Sequence, residues 1–176
     1  MPQRIQQRSR GDGSPNIVII EANKKQSEVE LKTIMNLIVF ISNQAEKEVE
    51  FDLFSAERVK DIEKKINIRF SLYSKKLKSE YFQLLQLYQE KYNLAKKQIG
   101  IDKIQSEQIA IYLGYFSDRF LEKSKNNPIE ALDNLTKHFH KALQTDSQEE
   151  YAFNAIRYFL FQELVNCNIF PNPNDL

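Results

Sequence analysis

Large apolar side chains recur at steps of three and four along much of this chain. The clearest case is the run from Ser55 to Ile99, which contains neither Pro nor Gly. Within it, Phe70, Tyr73, Leu77, Tyr81, Leu84, Tyr88, Tyr92, Ala95 and Ile99 fall on one stripe of a helix about eight turns long. A helix of that length with an aromatic stripe is suited to being covered by other helices. It predicts the spine of an all-α interaction domain rather than a catalytic cleft.

The flanking pattern predicts further helices. Ser27-Glu-Val-Glu30 fits a capping box, opening a helix with Leu31, Ile34, Leu37, Ile38, Ile41 and Ala45 inward, charged near Glu46–Glu50. Phe51-Asp-Leu-Phe54 is an apolar connector. Ser55 is the next cap, followed by Val59, Ile62 and Ile66, and this helix merges near Asn67 into the long stripe. Gly100 is a natural C′ residue. Ser106 with Glu107 predicts the next start, with Ile109, Leu113, Phe116 and Phe120 on one face. Asn127-Pro128 reads as a cap followed by Pro at the first helical position. That helix carries Leu132, Leu135, Phe139 and Leu143. Ser147-Gln-Glu-Glu150 is a second capping box before a helix that is apolar almost all round, and hence the most buried. Asn16-Ile-Val-Ile-Ile20 is β-branched and has no second strand of its kind, so it reads as an extended arm or an edge strand completed in trans. The expected fold is all-α: a helical bundle of about six helices around one long central helix, with a short extended N-terminal arm. Residues 1–26 form tail and arm, and 27–176 the helical domain.

Composition narrows the class. The length of 176 residues suits one domain, and 41% hydrophobic against 28% charged residues suits a packed core under a polar surface. The net charge of +1 hides a basic middle, +6 over residues 56–103, between segments of −3 (16–55) and −4 (104–176). Cys167 is the sole cysteine, so no internal disulfide forms, and the composition suits a reducing cytosol. The N-terminus has no signal-type apolar core, and Ile34–Ile41 is far too short to span a bilayer. The protein is expected to be cytoplasmic.

Little in the sequence assembles into chemistry. His138 and His140 are two apart on a predicted helix and point roughly 200° apart, so they do not share a metal. Cys167 has no base or electropositive setting and reads as a buried small hydrophobe. Gly11-Asp-Gly13 is a turn, not a phosphate loop. Glu46 and Glu50 read as a solvated helix end. Neither catalytic residues nor a metal or cofactor site is expected. The basic stretch Lys75-Lys-Leu-Lys78, with Lys91, Lys96 and Lys97, lies beside tyrosines that share the apolar stripe, so those tyrosines belong to the core rather than to base stacking.

Phe51-Asp-Leu-Phe54, then Ile62-Glu-Lys-Lys-Ile-Asn67, then Tyr81 and Tyr88…Tyr92 together resemble the helical C-terminal domains of bacterial ABC-three-component conflict systems. The ending Tyr158-Phe-Leu-Phe and Cys167-Asn-Ile-Phe170 is similar to the apolar last helix and close of those domains, with Asn168 where they carry a basic residue. The tail Gln7-Arg-Ser-Arg-Gly-Asp-Gly-Ser-Pro-Asn-Ile17 is similar to a motif found beside them. The resemblance covers residues 51–170 and the tail. It implies a non-enzymatic adaptor that docks on the system's ABC-type ATPase or its small middle component, in defence against phage or other invading DNA. No catalytic residue carries over.

Adaptor is therefore the first expectation, and a small helical nucleic-acid-binding regulator the alternative. The expected docking residues are Lys75, Lys76, Lys78, Lys91, Lys96 and Lys97, with Ile17, Val18 and Ile19 of the arm, through which the chain could also form a homo-oligomer.

Overall fold

The computed structural model describes residues 15–45, 54–143 and 148–170, with side chains described from residue 27 onward. All regular structure among them is helical: α1 (Pro15–Asn43), α2 (Ala56–Phe70), α3 (Ser74–Ile99), α4 (Lys103–Lys123), α5 (Pro128–Ala142) and α6 (Glu149–Val165). A single 3-10 turn, Ser71–Tyr73, joins α2 to α3, so helical backbone runs unbroken for 44 residues while folding back on itself at that turn: Lys78 pairs with Glu63, and Arg58 donates to Gln89 Oε1 at 2.7 Å. The all-α bundle with one long element is as the periodicity predicts.

Local chemistry explains most of the boundaries. The Ser55 side chain accepts from the Arg58 amide at the start of α2. Asn127 accepts from the amides of Ile129 and Glu130, with Pro128 at the first helical position of α5. Gly100 closes α3 at φ 76°, and the amides of Gly100 and Ile101 both reach the Lys96 carbonyl. The second of these bonds is the long bond of a Schellman turn.

Four expectations are corrected. The stretch Asn16–Ile20 is not an extended arm; it forms the opening turns of α1, which starts at Pro15. Val and Ile disfavour a helix by only a few tenths of a kcal/mol each. No strand stands beside this segment among the described residues, so a helix satisfies its backbone groups internally. Consequently Ser27–Glu30 lies inside α1 rather than capping it. The fourth helix starts at Lys103, not Ser106. Asp102 accepts from the Gln105 amide at 2.8 Å, and the Gln105 side chain accepts in return from the Asp102 amide, a capping box of Asp and Gln. The last helix has Gln148 at its cap with no side-chain bond, and Ser147 lies outside the described residues. So do the Gly11–Gly13 turn, Glu46, Glu50 and Phe51.

The long stripe faces inward. Leu77, Tyr81, Leu84, Tyr88, Tyr92 and Ala95 are buried, and Phe70, Tyr73 and Ile99 are half-buried at its ends. Its main partner is α6, the most enclosed element, in which every residue from Tyr158 to Val165 is buried. Tyr81 stacks on Phe161 at 4.9 Å, and Tyr88 and Tyr92 both meet Tyr158, at 5.7 and 5.8 Å. The other faces of α6 rest on α1 and α5, and α4 packs on α5 and α1. Each large side chain so enclosed contributes about 1.5–3 kcal/mol relative to exposure.

Candidate interaction surface

Both ends of α2 make contacts far along the chain. Phe54 packs edge-on to Phe82 at 5.9 Å. Arg69 donates to the carbonyls of Ile169 (3.2 Å) and Phe170 (3.0 Å), and to that of Leu164. Phe70 meets Phe170 edge-on at 6.2 Å. The Phe170 amide donates to Ser117 Oγ at 3.2 Å, bringing in α4. One arginine thus satisfies the carbonyls left open past the end of α6.

Beneath this lock lies a buried carboxyl. Glu163 accepts from the Tyr92 hydroxyl at 2.9 Å and from Asn168 Nδ2 at 2.5 Å. Burial pushes the Glu163 carboxyl up, opposed by those two hydrogen bonds and by the Lys96 charge. Burial, with the Glu163 charge beside it, pushes the Tyr92 phenol up as well.

Cys167 is exposed, not buried as its apolar neighbourhood suggested. It occupies the C′ position of α6 at φ 63°. The Asn168 amide reaches the Glu163 carbonyl and the Cys167 amide that of Leu164, the two bonds of a Schellman turn. The left-handed backbone turns the thiol away from the core. Its nearest polar contact is the Val165 carbonyl at 3.9 Å. His138 is exposed, its ring 5.1 Å from that of Phe116, while His140 lies against Phe153 at 4.2 Å. Among the described residues no group of three or more metal-ligating side chains comes together, and no helix is long and apolar enough to cross a membrane.

The six expected docking lysines do not form one patch. Lys75, Lys76 and Lys78 are exposed at the α2–α3 elbow, where Lys78 pairs with Glu63 and Lys76 lies 3.7 Å from Glu80. Lys97 is exposed and Lys96 half-buried at the far end of α3, about 33 Å away at 1.5 Å per residue. Lys96 Nζ stands 5.5 Å from the Tyr92 ring. Lys91 is a structural residue: it is 8% exposed, donates to the Ala45 carbonyl at 3.2 Å and lies 5.4 Å from the Tyr88 ring. Burial lowers its pKa. Ile17, Val18 and Ile19 belong to α1, and their side chains are outside the described set.

Two surface features are not anticipated by the stripe. One is a groove of about 650 Å³ between α1 and α4, lined by Glu30, Ile111, Tyr112, Tyr115, Phe116 and Arg119 among others. Ile111 and Tyr115 stand 62% and 79% exposed. The other is the elbow itself. Ile68 is 65% and Leu72 93% exposed, and Lys64, Lys75 and Lys76 beside them in sequence are exposed as well. Ile68 could have been found from the sequence, because it stands off the inward Ile62/Ile66 register. Compared with protein-family models, curated proteins and solved structures, the chain matches none.

Proposed function

We propose that this chain is a non-enzymatic helical adaptor domain of a bacterial ABC-ATPase-linked anti-phage or anti-invader system, working in the cytoplasm. Its partner is the system's ATPase or its small middle component. The observation that carries the reading is a pair of contacts to the end of α6 and its close: Arg69, two residues past the Ile62–Asn67 segment, donates to Ile169 and Phe170, and Tyr92 donates to Glu163. The first of these joins stretches a hundred residues apart in sequence.

The test is reconstitution. The purified full chain is mixed with the ABC-type ATPase encoded beside it, with and without the small middle component, and analysed by size-exclusion chromatography with light scattering. A stoichiometric complex is expected; separate elution of all components at high micromolar concentration overturns the proposal. The basic elbow favours nucleic acid as the second reading. A gel shift at low salt, where phosphate contacts are strongest, distinguishes it.

A further inference from the structure

The structure assigns the α2–α3 elbow as the docking surface of this domain, with Leu72 as an apolar knob that enters a recess rimmed by acidic side chains on a protein partner. The inference rests on the adaptor reading above and locates its interface.

The backbone leaves the α-helix here without Pro or Gly. Phe70 adopts φ −136° and ψ 48°, and Ser71–Tyr73 form a 3-10 turn. The inward side of the break is accounted for, because Arg69 and Phe70 both engage the close after α6. The outward side is not. At Leu72, 93% exposure puts a whole aliphatic side chain into water on a convex corner, with Ile68 one turn before it at 65%. Burying such a pair on a partner is favourable in proportion to the apolar area removed.

Charge defines the partner. Residues 60–79 hold seven Lys or Arg against two acids. Both acids are already paired, Asp61 with Lys65 and Glu63 with Lys78. Lys60, Lys64 and Lys75 make no ion pair among the described residues. Apolar centre and cationic rim form the pattern of a hot spot sealed by polar neighbours. The complementary surface is an apolar recess with carboxylates around it. Two aliphatic residues are too little for stable anchoring in a bilayer, where even one long acyl chain holds only marginally. The elbow's one arginine is turned inward, which leaves no planar cation there to stack on bases.

The test compares three forms of the full chain against the co-encoded ATPase by calorimetry at two salt concentrations. These are wild type, Leu72→Ser, and Lys64→Glu with Lys75→Glu. All altered residues are exposed, so folding is retained, as circular dichroism checks. Lys137→Glu with Lys141→Glu on α5 is the charge-matched control. Each elbow variant is expected to bind at least tenfold more weakly. The charge variant should also lose most of the salt dependence, and the control should stay within twofold. Elbow variants within twofold of wild type overturn the inference while leaving the adaptor reading intact. Absence of any wild-type complex overturns that reading and this inference with it. Two further results overturn it in favour of another occupant. One is loss of binding to phosphatidylcholine–phosphatidylglycerol vesicles with ATPase binding unchanged. The other is a wild-type dimer, seen in sedimentation without the ATPase, that the elbow variants dissolve.

Discussion

Removing the same oxygen atom at two positions of the α3 stripe should have opposite effects. The Tyr81 hydroxyl is fully buried and makes no hydrogen bond of good geometry among the described residues; its polar neighbour is the Arg157 guanidinium, too poorly placed to form more than a weak contact. Burial holds the phenol up at about 12, with the nearby Arg157 charge only partly offsetting it. Arg157 sits over the ring face at 4.7 Å and offers only donors, so the phenolic proton has no acceptor there. Such an unpaired group costs about 1–3 kcal/mol. Phe in its place keeps the stack on Phe161 and the cation over the ring while removing the penalty. Tyr81→Phe is therefore expected to match wild type or exceed it by up to about 1 kcal/mol. Tyr92 is the contrasting case, because its hydroxyl donates to Glu163, leaving only Asn168 as a second donor to that carboxyl. Hydrogen bonds to charged groups are worth about 1.5–3 kcal/mol, and the partner left behind is buried. Tyr92→Phe should lose that amount, or roughly 3–12 °C in Tm for a chain of this length. Urea unfolding of both variants measures the difference, with unchanged m showing that only stability moved. If Tyr81→Phe lost more than about 1 kcal/mol, the hydroxyl would have to be accepting from Arg157 and the reasoning would be wrong. Tyr92→Phe within about half a kcal/mol of wild type would refute the buried bridge to Glu163.

Three other outcomes follow from the same region. Because burial raises the folded pKa of Glu163 above its unfolded value, the folded state takes up the proton first. Its contribution to stability should therefore grow as pH falls from neutral through the folded pKa, and level off at the ordinary carboxylate range. Thermal melts between pH 5 and 8 should show that component in wild type and lack it in Glu163→Gln; identical pH profiles would count against it. Cys167→Gly, which removes a side chain from a left-handed backbone position, should be neutral or stabilising by up to about 1 kcal/mol in urea unfolding. Arg69→Met strips the donors from three carbonyls and should cost about 2 kcal/mol or more. Hydrogen exchange should show the loss centred on residues 164–170, and uniform loosening would contradict the local lock.

The helices were legible because burial here follows period 3.6, and every member of the α3 stripe lies inside or at the margin of the core. Caps were legible where a short polar residue precedes the apolar pattern, as at Ser55 and Asn127. The start of α4 was not, since Asp102 and Gln105 cap as well as Ser and Glu do, and Ser106 drew the boundary inward by a turn. Ile17–Ile20 misled because β-branching favours a strand only where another strand can accept its hydrogen bonds. Cys167 misled because exposure at a helix C-terminus is set by the sign of φ, which an apolar neighbourhood does not reveal. Lys91 misled because a long cationic side chain can lie along buried surface and end on a carbonyl.

The 3-10 elbow marks a more general boundary of sequence reading. Neither a proline nor a glycine produces it. It arises where Arg69 and Phe70 turn together onto Ile169 and Phe170, a hundred residues away in sequence. Local propensity from Ala56 to Ile99 asks for one straight helix, and a long-range contact bends it. The same contact that closes the core on the inner side therefore sets Ile68 and Leu72 on the outer one. Stability and exposure at the elbow then respond to different residues. Substitution at Arg69 acts on the fold, whereas substitution at Leu72, with almost no protein around it, should leave the fold untouched. An interface placed there can change its apolar knob and lysine rim without disturbing the helices that present them.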